Sequence, residues 1–347
     1  MAGSGARVAN SHRSGGRRRY GSSGRLGRQR RRRGVALIVV ILAAGAVVYL
    51  ASAGRSPHPP SPISIARVTS RRGAATAAPA RRAASAPHVT VTAPAAPTAG
   101  WITFASVHGR PAAWLSQRAG VTLMRFDQHL VHLTLHAGSR DGGVAGWTYG
   151  DKITPREVHL LVAGFNGGFK LTYTNVGFMS GGHVAVPLKS GLASLVTYTN
   201  GTTNIGAWHE GVPSAHETVF SVLQNQHLLV DRGVAAANVS TCVIDCWGGT
   251  IKYLTVVARS GLGITAAGAL VWAAGEQLSP ASLANALIDA GAVRAIELDI
   301  NPFWVAGYLY THQPSGPVAV PVVPGQRGII GQLLAPNTRD FLAVVAR

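Results

Sequence analysis

Acidic residues are absent from the first 100 positions of this 347-residue chain. Residues 1–33 contain 11 Arg and residues 34–100 contain 6 more, whereas residues 101–347 carry 15 Lys and Arg against all 13 acids. The formal net charge of +19 therefore belongs mainly to the N-terminal segment. A nucleic-acid-binding domain carries positive charge across its own folded surface, so the pI of 11.3 does not indicate one, and we expect no nucleic-acid partner.

Cysteine is also scarce, since the chain has only 2, Cys242 and Cys246, in the stretch C-V-I-D-C. Two isolated cysteines are too few for a structural zinc site, and we expect neither a metal nor a cofactor. Their close spacing permits a local disulfide if this part of the chain is exported, and a pair of inert thiols is the alternative.

A long uncharged segment follows the basic N-terminus. Residues 34–54 read GVALIVVILAAGAVVYLASAG, and a helix of this length spans roughly 30 Å, the thickness of a hydrocarbon core. Because R-Q-R-R-R-R directly precedes it, the positive-inside rule predicts a single-pass signal anchor with the basic tail, residues 1–33, in the cytoplasm. Ala51-Ser52-Ala53 also fits a cleavage site, so a cleaved signal peptide is the alternative, and both interpretations predict export.

Residues 55–100 are rich in Ala, Pro, Ser, Thr and Arg, a composition that cannot bury a core. We expect them to form a disordered, extended linker. The linker would hold residues 101–347, the predicted exported domain, away from the membrane. These residues suffice for one large core. The expected location is the cell membrane, with this domain extracellular.

The exported domain has many predicted strands and few helices, which favours an α+β fold with a mixed β-sheet. Residues 194–198 and 204–209 predict a hairpin. Ser279 as N-cap and Pro280 in the first helical position predict a helix that ends at Gly291.

Three further stretches are predicted to contain strands. The alternation over residues 121–135 predicts a pair of strands, and residues 253–260 predict one strand followed by the turn residues Gly261 and Gly263. Residues 294–300 predict another strand directly after the helix. The order strand–helix–strand indicates a crossover unit.

Candidate functional residues fall in three clusters near predicted strand ends. The first is G-F-N-G-G-F-K at 164–170. Gly167 and Gly168 let the backbone approach a ligand and direct N–H groups at an anion. Asn166 and Lys170 flank them as a neutral donor and a cation. A simple glycine turn is the alternative.

The second cluster, A-R-S-G-L-G-I at 258–264, contains Arg259 near the end of an apolar strand. A guanidinium offers planar, bidentate hydrogen bonds suited to a phosphate or carboxylate. A structural ion pair is the alternative.

The third cluster is A-I-E-L-D-I-N-P-F-W at 295–304. On a strand, Glu297 and Asp299 share one face at about 7 Å along the chain. Two close carboxylates can have separated pKa values, so that one serves as acid and the other as base. Alternatively, Glu297 pairs with Arg259 or Arg294 while Asp299 caps the next turn.

The order of these clusters resembles that of the phosphodiester glycosidase family, over roughly residues 120–310. That family has an N-G-G-F-F turn, a later strand with R-T-A-I-G, and a terminal helix–strand that ends in L-D-G-G-G-S. The stretches that correspond here are Asn166-Gly167-Gly168-Phe169-Lys170, Arg259-Ser260-Gly261-Leu262-Gly263 and Glu297-Leu298-Asp299-Ile300-Asn301.

The resemblance implies a hydrolase of a sugar phosphodiester. Basic side chains and glycine amides would hold the phosphate, carboxylates would act as acid, base or nucleophile, and aromatic side chains would stack on a sugar. The catalytic residues implied are Asp299, Glu297, Asn166 and Arg259, and the substrate-binding residues are Gly167, Gly168, Lys170, Asn301 and Trp304.

Two departures from the family pattern bear on function. Lys170 replaces the second aromatic of the turn, and the glycines after the aspartate are replaced by Ile300, Asn301, Pro302 and Phe303, of which Pro302 has no N–H to donate. Lys170 either supplies the lost anion contact, or hydrolysis is lost and the domain is a non-catalytic envelope module that binds a polysaccharide or wall polymer. The expected partner is a cell-envelope glycan or a sugar phosphodiester.

Overall fold

The structure, a computed structural model, describes residues 87–96, 98–140, 147–172, 174–250, 252–328 and 333–347. These residues form 19 strands and three helices, so the prediction of a strand-rich α+β fold is confirmed for this part of the chain. The predicted cytoplasmic tail, the anchor and most of the linker lie outside the described residues. Within the described ranges, no helix has the length and apolar character needed to cross a bilayer.

The largest sheet has nine strands, and each neighbouring pair in it is antiparallel. In spatial order its strands are β1 (Val89–Val91), β2 (Ile102–Val107), β3 (Arg110–Arg118), β4 (Val121–Phe126), β15 (Leu270–Leu278), β14 (Val257–Thr265), β16 (Ala292–Glu297), β12 (Leu228–Asp231) and β13 (Val234–Ala235).

Two further sheets have five strands each and are also antiparallel throughout. One has the order β10 (Thr203–Ala207), β9 (Ala193–Tyr198), β11 (Val219–Gln224), β7 (Phe178–Ser180) and β8 (His183–Val186). The other has the order β18 (Gly316–Pro321), β17 (Gly307–Gln313), β6 (Leu161–Asn166), β19 (Phe341–Ala346) and β5 (Val131–His136).

The helices are α1 (Pro155–Val158), α2 (Val243–Trp247) and α3 (Pro280–Asp289). The predicted capping of α3 is confirmed, because the Ser279 hydroxyl accepts from the N–H of Ser282 and Pro280 stands in the first turn. Both strands that flank α3, β15 and β16, pair antiparallel with β14 between them, so they run parallel to each other. This is the crossover that the sequence order indicated.

One apolar core joins the three sheets, and a second lies under α3. Phe165 on β6 stacks on Phe126 at 6.2 Å and on Trp272 at 5.3 Å between ring centroids. On the other face of the nine-stranded sheet, Leu283 and Leu287 of α3 are fully buried. The nine-stranded sheet is thus covered on both faces, which leaves the ends of its strands as the place for a site.

Several sequence predictions are wrong in detail. The sheets are antiparallel rather than mixed, because strands that run parallel to each other, such as β15 and β16, are separated by an antiparallel strand that pairs with both. Gly261 and Gly263 lie inside β14, where a Cβ on Gly261 would stand 3.2 Å from Leu287 and one on Gly263 would stand 2.6 Å from Ala292. They permit close packing of α3 and β16 rather than a turn.

Other predicted elements are shifted or divided. The predicted hairpin of β9 and β10 is confirmed. The two strands predicted over residues 121–135 exist as β4 and β5, but they lie in different sheets. Strand β14 begins at Val257, so the start of the predicted 253–260 strand is loop. Strand β1 lies in the predicted linker and pairs with β2. The sequence did not predict this strand, because its three residues, V-T-V, stand in Ala- and Pro-rich surroundings.

Candidate functional site

The candidate site lies where the chain leaves strand β16 and turns. Asp299 Oδ1 accepts hydrogen bonds from the N–H groups of Ile300 at 2.6 Å and Asn301 at 2.8 Å, so its side chain caps the turn. Its other oxygen, Oδ2, accepts from Nη2 of Arg339 at 2.9 Å. Burial raises the pKa of Asp299, while Arg339 and the two backbone N–H groups oppose the rise. The turn therefore holds a carboxylate with a raised pKa in a fixed orientation.

Arg339 connects this turn to the end of the chain. Its Nη2 also donates to the carbonyl oxygen of Gly168 at 2.8 Å, and its guanidinium lies over the Trp304 ring at 5.2 Å from the centroid. The sequence resemblance ends near residue 310 and did not single out Arg339. The signal available was a charged pair, Arg339-Asp340, directly before the apolar strand β19.

Asp299 and Arg339 line a cavity of about 370 Å³. Three of the residues predicted to bind substrate, Lys170, Asn301 and Trp304, line it as well. Cations, a carboxylate, an amide and an indole are thus gathered around one space, a combination suited to a polar anionic ligand with a sugar ring. The other lining residues are Phe169, Thr174, Gln226, Ile244, Gly248, Gly249 and Ile300.

The Gly167-Gly168 turn binds the carboxylate of Asp340, a residue of the same chain. The N–H of Gly168 donates to Oδ2 of Asp340 at 2.8 Å, and the N–H of Gly167 donates to the Asp340 carbonyl oxygen at 3.0 Å. Neither glycine lines the cavity. The structure therefore gives these amides an internal partner in place of the predicted ligand contact, because Asp340 already occupies the concavity that they form.

Glu297 and Arg259 form a buried ion pair behind the cavity. Arg259 Nη1 donates to Glu297 Oε1 at 2.7 Å, and both side chains are almost fully excluded from solvent. The guanidinium also donates to the carbonyl oxygens of Leu278, Trp247 and Thr255. This is the structural pairing that the sequence left open. Neither residue lines the cavity. The two acids predicted to work together have different partners, because Glu297 pairs with Arg259 and Asp299 pairs with Arg339.

Burial raises the pKa of Glu297 to about 7, with Arg259 opposing the rise and the nearby charge of Asp299 adding to it. The charge of Asp299 thus acts on Glu297, although only Asp299 reaches the cavity. The ion pair of Glu297 and Arg259 joins the end of β16 to β14 behind the cavity.

Asn166 supports the site from the end of β6. Its Nδ2 donates to the hydroxyl of Ser260 at 2.8 Å, and its Oδ1 accepts from the N–H of Ala306 at 3.3 Å. Ser260 in turn donates its backbone N–H to the carbonyl oxygen of Asp299 at 3.0 Å. Asn166 thus positions the Asp299 turn through Ser260. No role for Ser260 was predicted from the sequence, although it lies next to Arg259 in the second cluster.

Cys242 and Cys246 are joined by a disulfide that links the N-cap of α2 to its last turn. This helix contributes Ile244 to the cavity wall, and the carbonyl oxygen of Trp247 accepts from Arg259. The disulfide therefore lies in an element that contacts both the cavity and the buried ion pair. Among the described residues, no group of three or more His, Cys, Asp or Glu side chains is placed to hold a metal ion.

No protein-family model matches the chain, and no curated protein matches it. Among solved structures, it is similar to the zebrafish N-acetylglucosamine-1-phosphodiester alpha-N-acetylglucosaminidase catalytic domain, auto-inhibited by its pro-peptide, with a TM-score of 0.44 and 14% identity over 76% of this chain and 88% of that one. A hypothetical protein from Synechocystis gives a TM-score of 0.43 and 12% identity over 73% of this chain and 64% of that one.

A Burkholderia pseudomallei K96243 protein described as exported gives a TM-score of 0.35 and 10% identity, over 68% of this chain and 75% of that one. All three are distant similarities of structure. Nothing about the activity of this chain follows from them.

Proposed function

We propose that the folded domain, residues 87–347, hydrolyses a sugar phosphodiester at the bond between the anomeric carbon and the phosphate oxygen. The observation that carries the proposal is a carboxylate with a raised pKa, Asp299, at a cavity that two cations, Lys170 and Arg339, also line. A phosphodiester brings one negative charge, which suits two cations beside one carboxylate.

In the proposed reaction, ionised Asp299 accepts a proton from a water molecule as the water oxygen bonds to the anomeric carbon. The electron pair of the breaking carbon–oxygen bond passes to the phosphate, which leaves as a monoester. Lys170 and Arg339 stabilise the charge that grows on the departing phosphate. The raised pKa makes Asp299 a stronger base than an ordinary aspartate, and the proton that it accepts is later released to solvent.

Two further cavity residues are proposed to orient the sugar. The Trp304 indole offers a flat apolar surface for a sugar face, and Asn301 offers an amide for its hydroxyls. Arg339 packs over the same indole, so the position of the sugar and the position of the phosphate are linked through one side chain.

We further propose that residues 34–54 anchor the chain in the cell membrane and that the folded domain lies outside the cell. The support is the uncharged apolar run directly after R-Q-R-R-R-R, together with the basic tail. The substrate is then a sugar phosphodiester of the cell envelope, and we propose no nucleic-acid partner.

A second candidate function is a module that binds an envelope glycan without cleaving it. The observation in its favour is that the Gly167 and Gly168 amides donate to Asp340 rather than into the cavity. The proposed enzyme therefore has two side-chain cations in place of a backbone anion site. If these hold the phosphate too weakly in the transition state, binding without turnover results.

The test is to incubate the full-length chain with a chromogenic sugar phosphodiester and with the corresponding simple glycoside. We expect release from the phosphodiester only, and a loss of about a hundredfold to ten-thousandfold in kcat/KM for Asp299→Asn, the usual contribution of a general base. Asp231→Asn, which removes a surface carboxylate paired with Arg232, is the matched control and should leave the rate unchanged.

Equal rates for the phosphodiester and the glycoside would contradict a phosphate-specific site. An unchanged rate in Asp299→Asn would show that Asp299 takes no part in the reaction. Binding of the phosphodiester by the folded protein without any release would favour the glycan-binding module.

The pH dependence of kcat/KM follows from the direction of the Asp299 pKa. The base must be ionised, so the rate falls as the pH drops through the raised pKa of Asp299. We therefore expect the acidic limb of the profile to lie above 3.8, the ordinary value for an aspartate. A rate profile that stays flat down to that value would contradict the role of base.

A further inference from the structure

Four large apolar side chains stand in solvent on two segments that border the cavity. Tyr253 is 73% exposed, Leu254 52%, Val256 48% and Phe303 63%. The described residues contain three other exposed large hydrophobic side chains, and each of these lies on a strand: Val184, Val234 and Val318. Three of the four, Tyr253, Leu254 and Val256, lie close together along the chain, and clustered exposed apolar side chains commonly mark a binding site.

The segment that carries Tyr253, Leu254 and Val256 is attached to the cavity at both ends. Before it, Gly249 lines the cavity. After it, Val257 packs against Phe169 and Ile300, which also line the cavity.

The backbone of this segment is hydrogen-bonded. The N–H of Tyr253 donates to the Thr250 carbonyl oxygen at 2.9 Å, and the N–H of Leu254 donates to the Thr250 hydroxyl at 2.9 Å. The local fold therefore holds these apolar side chains outward.

Phe303 is presented in a similar way on the second segment. Its chain neighbours Asn301 and Trp304 line the cavity. The N–H of Phe303 donates to Oδ1 of Asn301 at 2.9 Å, and the N–H of Trp304 donates to the Asn301 carbonyl oxygen at 2.8 Å. This tight turn directs Asn301 and Trp304 to the cavity while Phe303 remains in solvent.

We propose that Tyr253, Leu254, Val256 and Phe303 form an apolar rim that receives a hydrocarbon chain attached to the far side of the substrate phosphate. The inference rests on the proposed function and narrows its substrate to a lipid-linked sugar phosphodiester. Hydrolysis of such a substrate releases the free sugar and a lipid phosphate.

The distribution of charge around the cavity favours this occupant over a second copy of the chain. Two cations, Lys170 and Arg339, lie at the cavity, and the apolar side chains lie outside it. A lipid phosphate has the same order, with an anionic head followed by an apolar tail. The predicted anchor at residues 34–54 would also keep the domain close to a bilayer, where lipid-linked sugars reside.

The experiment measures binding of methyl, butyl and octyl phosphate to the full-length chain by calorimetry, below the micelle-forming concentration. Each methylene that is fully buried contributes roughly fourfold in affinity. Because the open rim buries the additional methylenes of octyl phosphate only in part, we expect octyl phosphate to bind about tenfold more tightly than butyl phosphate. A variant with Tyr253→Ser, Leu254→Ser and Phe303→Ser should lose that difference while methyl phosphate binds within about twofold of its original affinity.

The matched control changes Val184→Ser and Val234→Ser, two exposed apolar side chains on β8 and β13, and should keep the dependence on chain length. The same affinity for butyl and octyl phosphate, an unchanged dependence in the triple variant, or no binding of alkyl phosphates would overturn the proposal. A triple variant that dissociates a dimer and retains the dependence would reassign the surface to a second copy. Alkyl phosphates carry no sugar to cleave, so a failure to hydrolyse sugar phosphodiesters is observed separately.

Discussion

The carboxylate of Asp299 is buried and forms an ion pair with Arg339, which sets the effect of removing that guanidinium. We expect Arg339→Met to lower the free energy of unfolding by about 3–5 kcal/mol, because Asp299 is left without its ion-pair partner. The second change Asp299→Asn removes the buried charge, so the double variant should be more stable than Arg339→Met alone. Urea denaturation of the three variants measures the coupling.

Arg232→Met is the control for this cycle, because Arg232 pairs with Asp231 on the exposed surface. It should change the stability little, since surface ion pairs contribute little. Additive losses for Arg339→Met and Asp299→Asn would show that the two side chains do not stabilise each other.

At the residue scale, the sequence was informative about chemistry and less so about partners. It singled out Asp299, Lys170 and Trp304, which the structure brings to one cavity. It missed Arg339 because that residue is 40 positions from Asp299 along the chain, and no local pattern marks such a pair. Only the pairing of β19 with β6 brings Arg339 beside the Gly167-Gly168 turn.

At the scale of a single element, the turn after β6 shows why two adjacent glycines can differ in importance. A Cβ on Gly167 would collide with the Asp340 carboxylate and backbone, whereas one on Gly168 would stand 3.1 Å from Cδ1 of Leu223, a side chain that can shift. We therefore expect Gly167→Ala to lower the free energy of unfolding by several kcal/mol and Gly168→Ala by about 1 kcal/mol.

Thermal and urea denaturation of the two alanine variants provide the comparison. Each serves as the control for the other, because both changes add one methyl group to the same turn. Equal stability of the two variants would mean that Asp340 does not fill the space beside Gly167.

Element prediction succeeded where local signals agreed and failed where packing decided. The hairpin of β9 and β10 and the capped helix α3 follow from turn and cap residues alone. Gly261 and Gly263 read as a turn, but their place in β14 depends on the close approach of α3 and β16. Such an approach is a tertiary property that glycine spacing does not reveal.

At the scale of the whole molecule, a buried carboxylate joins strand β5 to helix α1 and makes stability depend on pH. Glu157 accepts hydrogen bonds from the hydroxyls of Thr134 at 2.5 Å and Thr154 at 2.6 Å, and its Oε1 lies 3.3 Å from Nε2 of His136. Burial alone would raise the pKa of Glu157. A hydrogen bond from His136 and its charge, together with the hydrogen bonds from the two threonines, outweigh burial and lower the pKa of Glu157 to about 2.

The folded-state pKa of Glu157 thus lies below its ordinary value of 4.5, so the stabilisation is present above that pH and is lost as the pH falls toward 2. The shift corresponds to about 3 kcal/mol. Glu157→Gln should remove this part of the pH dependence of unfolding, and Glu210→Gln, a change at an exposed position, should retain it. The same acid sensitivity in Glu157→Gln as in the original protein would contradict the assignment.

The extent of the folded domain was only partly predictable. Composition indicated a linker up to residue 100, yet β1 at Val89–Val91 completes the edge of the nine-stranded sheet. A strand of three residues is stabilised by its partner β2 rather than by its own sequence. The assignment of β4 and β5 to different sheets likewise depends on long-range pairing, with β15 and with β19, that local alternation does not encode.

The central claim, that Asp299 directs water to the anomeric carbon, is tested most directly by hydrolysis of a sugar phosphodiester in water enriched in oxygen-18. Attack at the anomeric carbon places the label in the free sugar and leaves the phosphate monoester unlabelled, as we predict. Label in the phosphate would show that the phosphorus–oxygen bond breaks instead. That result would make the protein a phosphodiesterase and contradict the proposed role of Asp299.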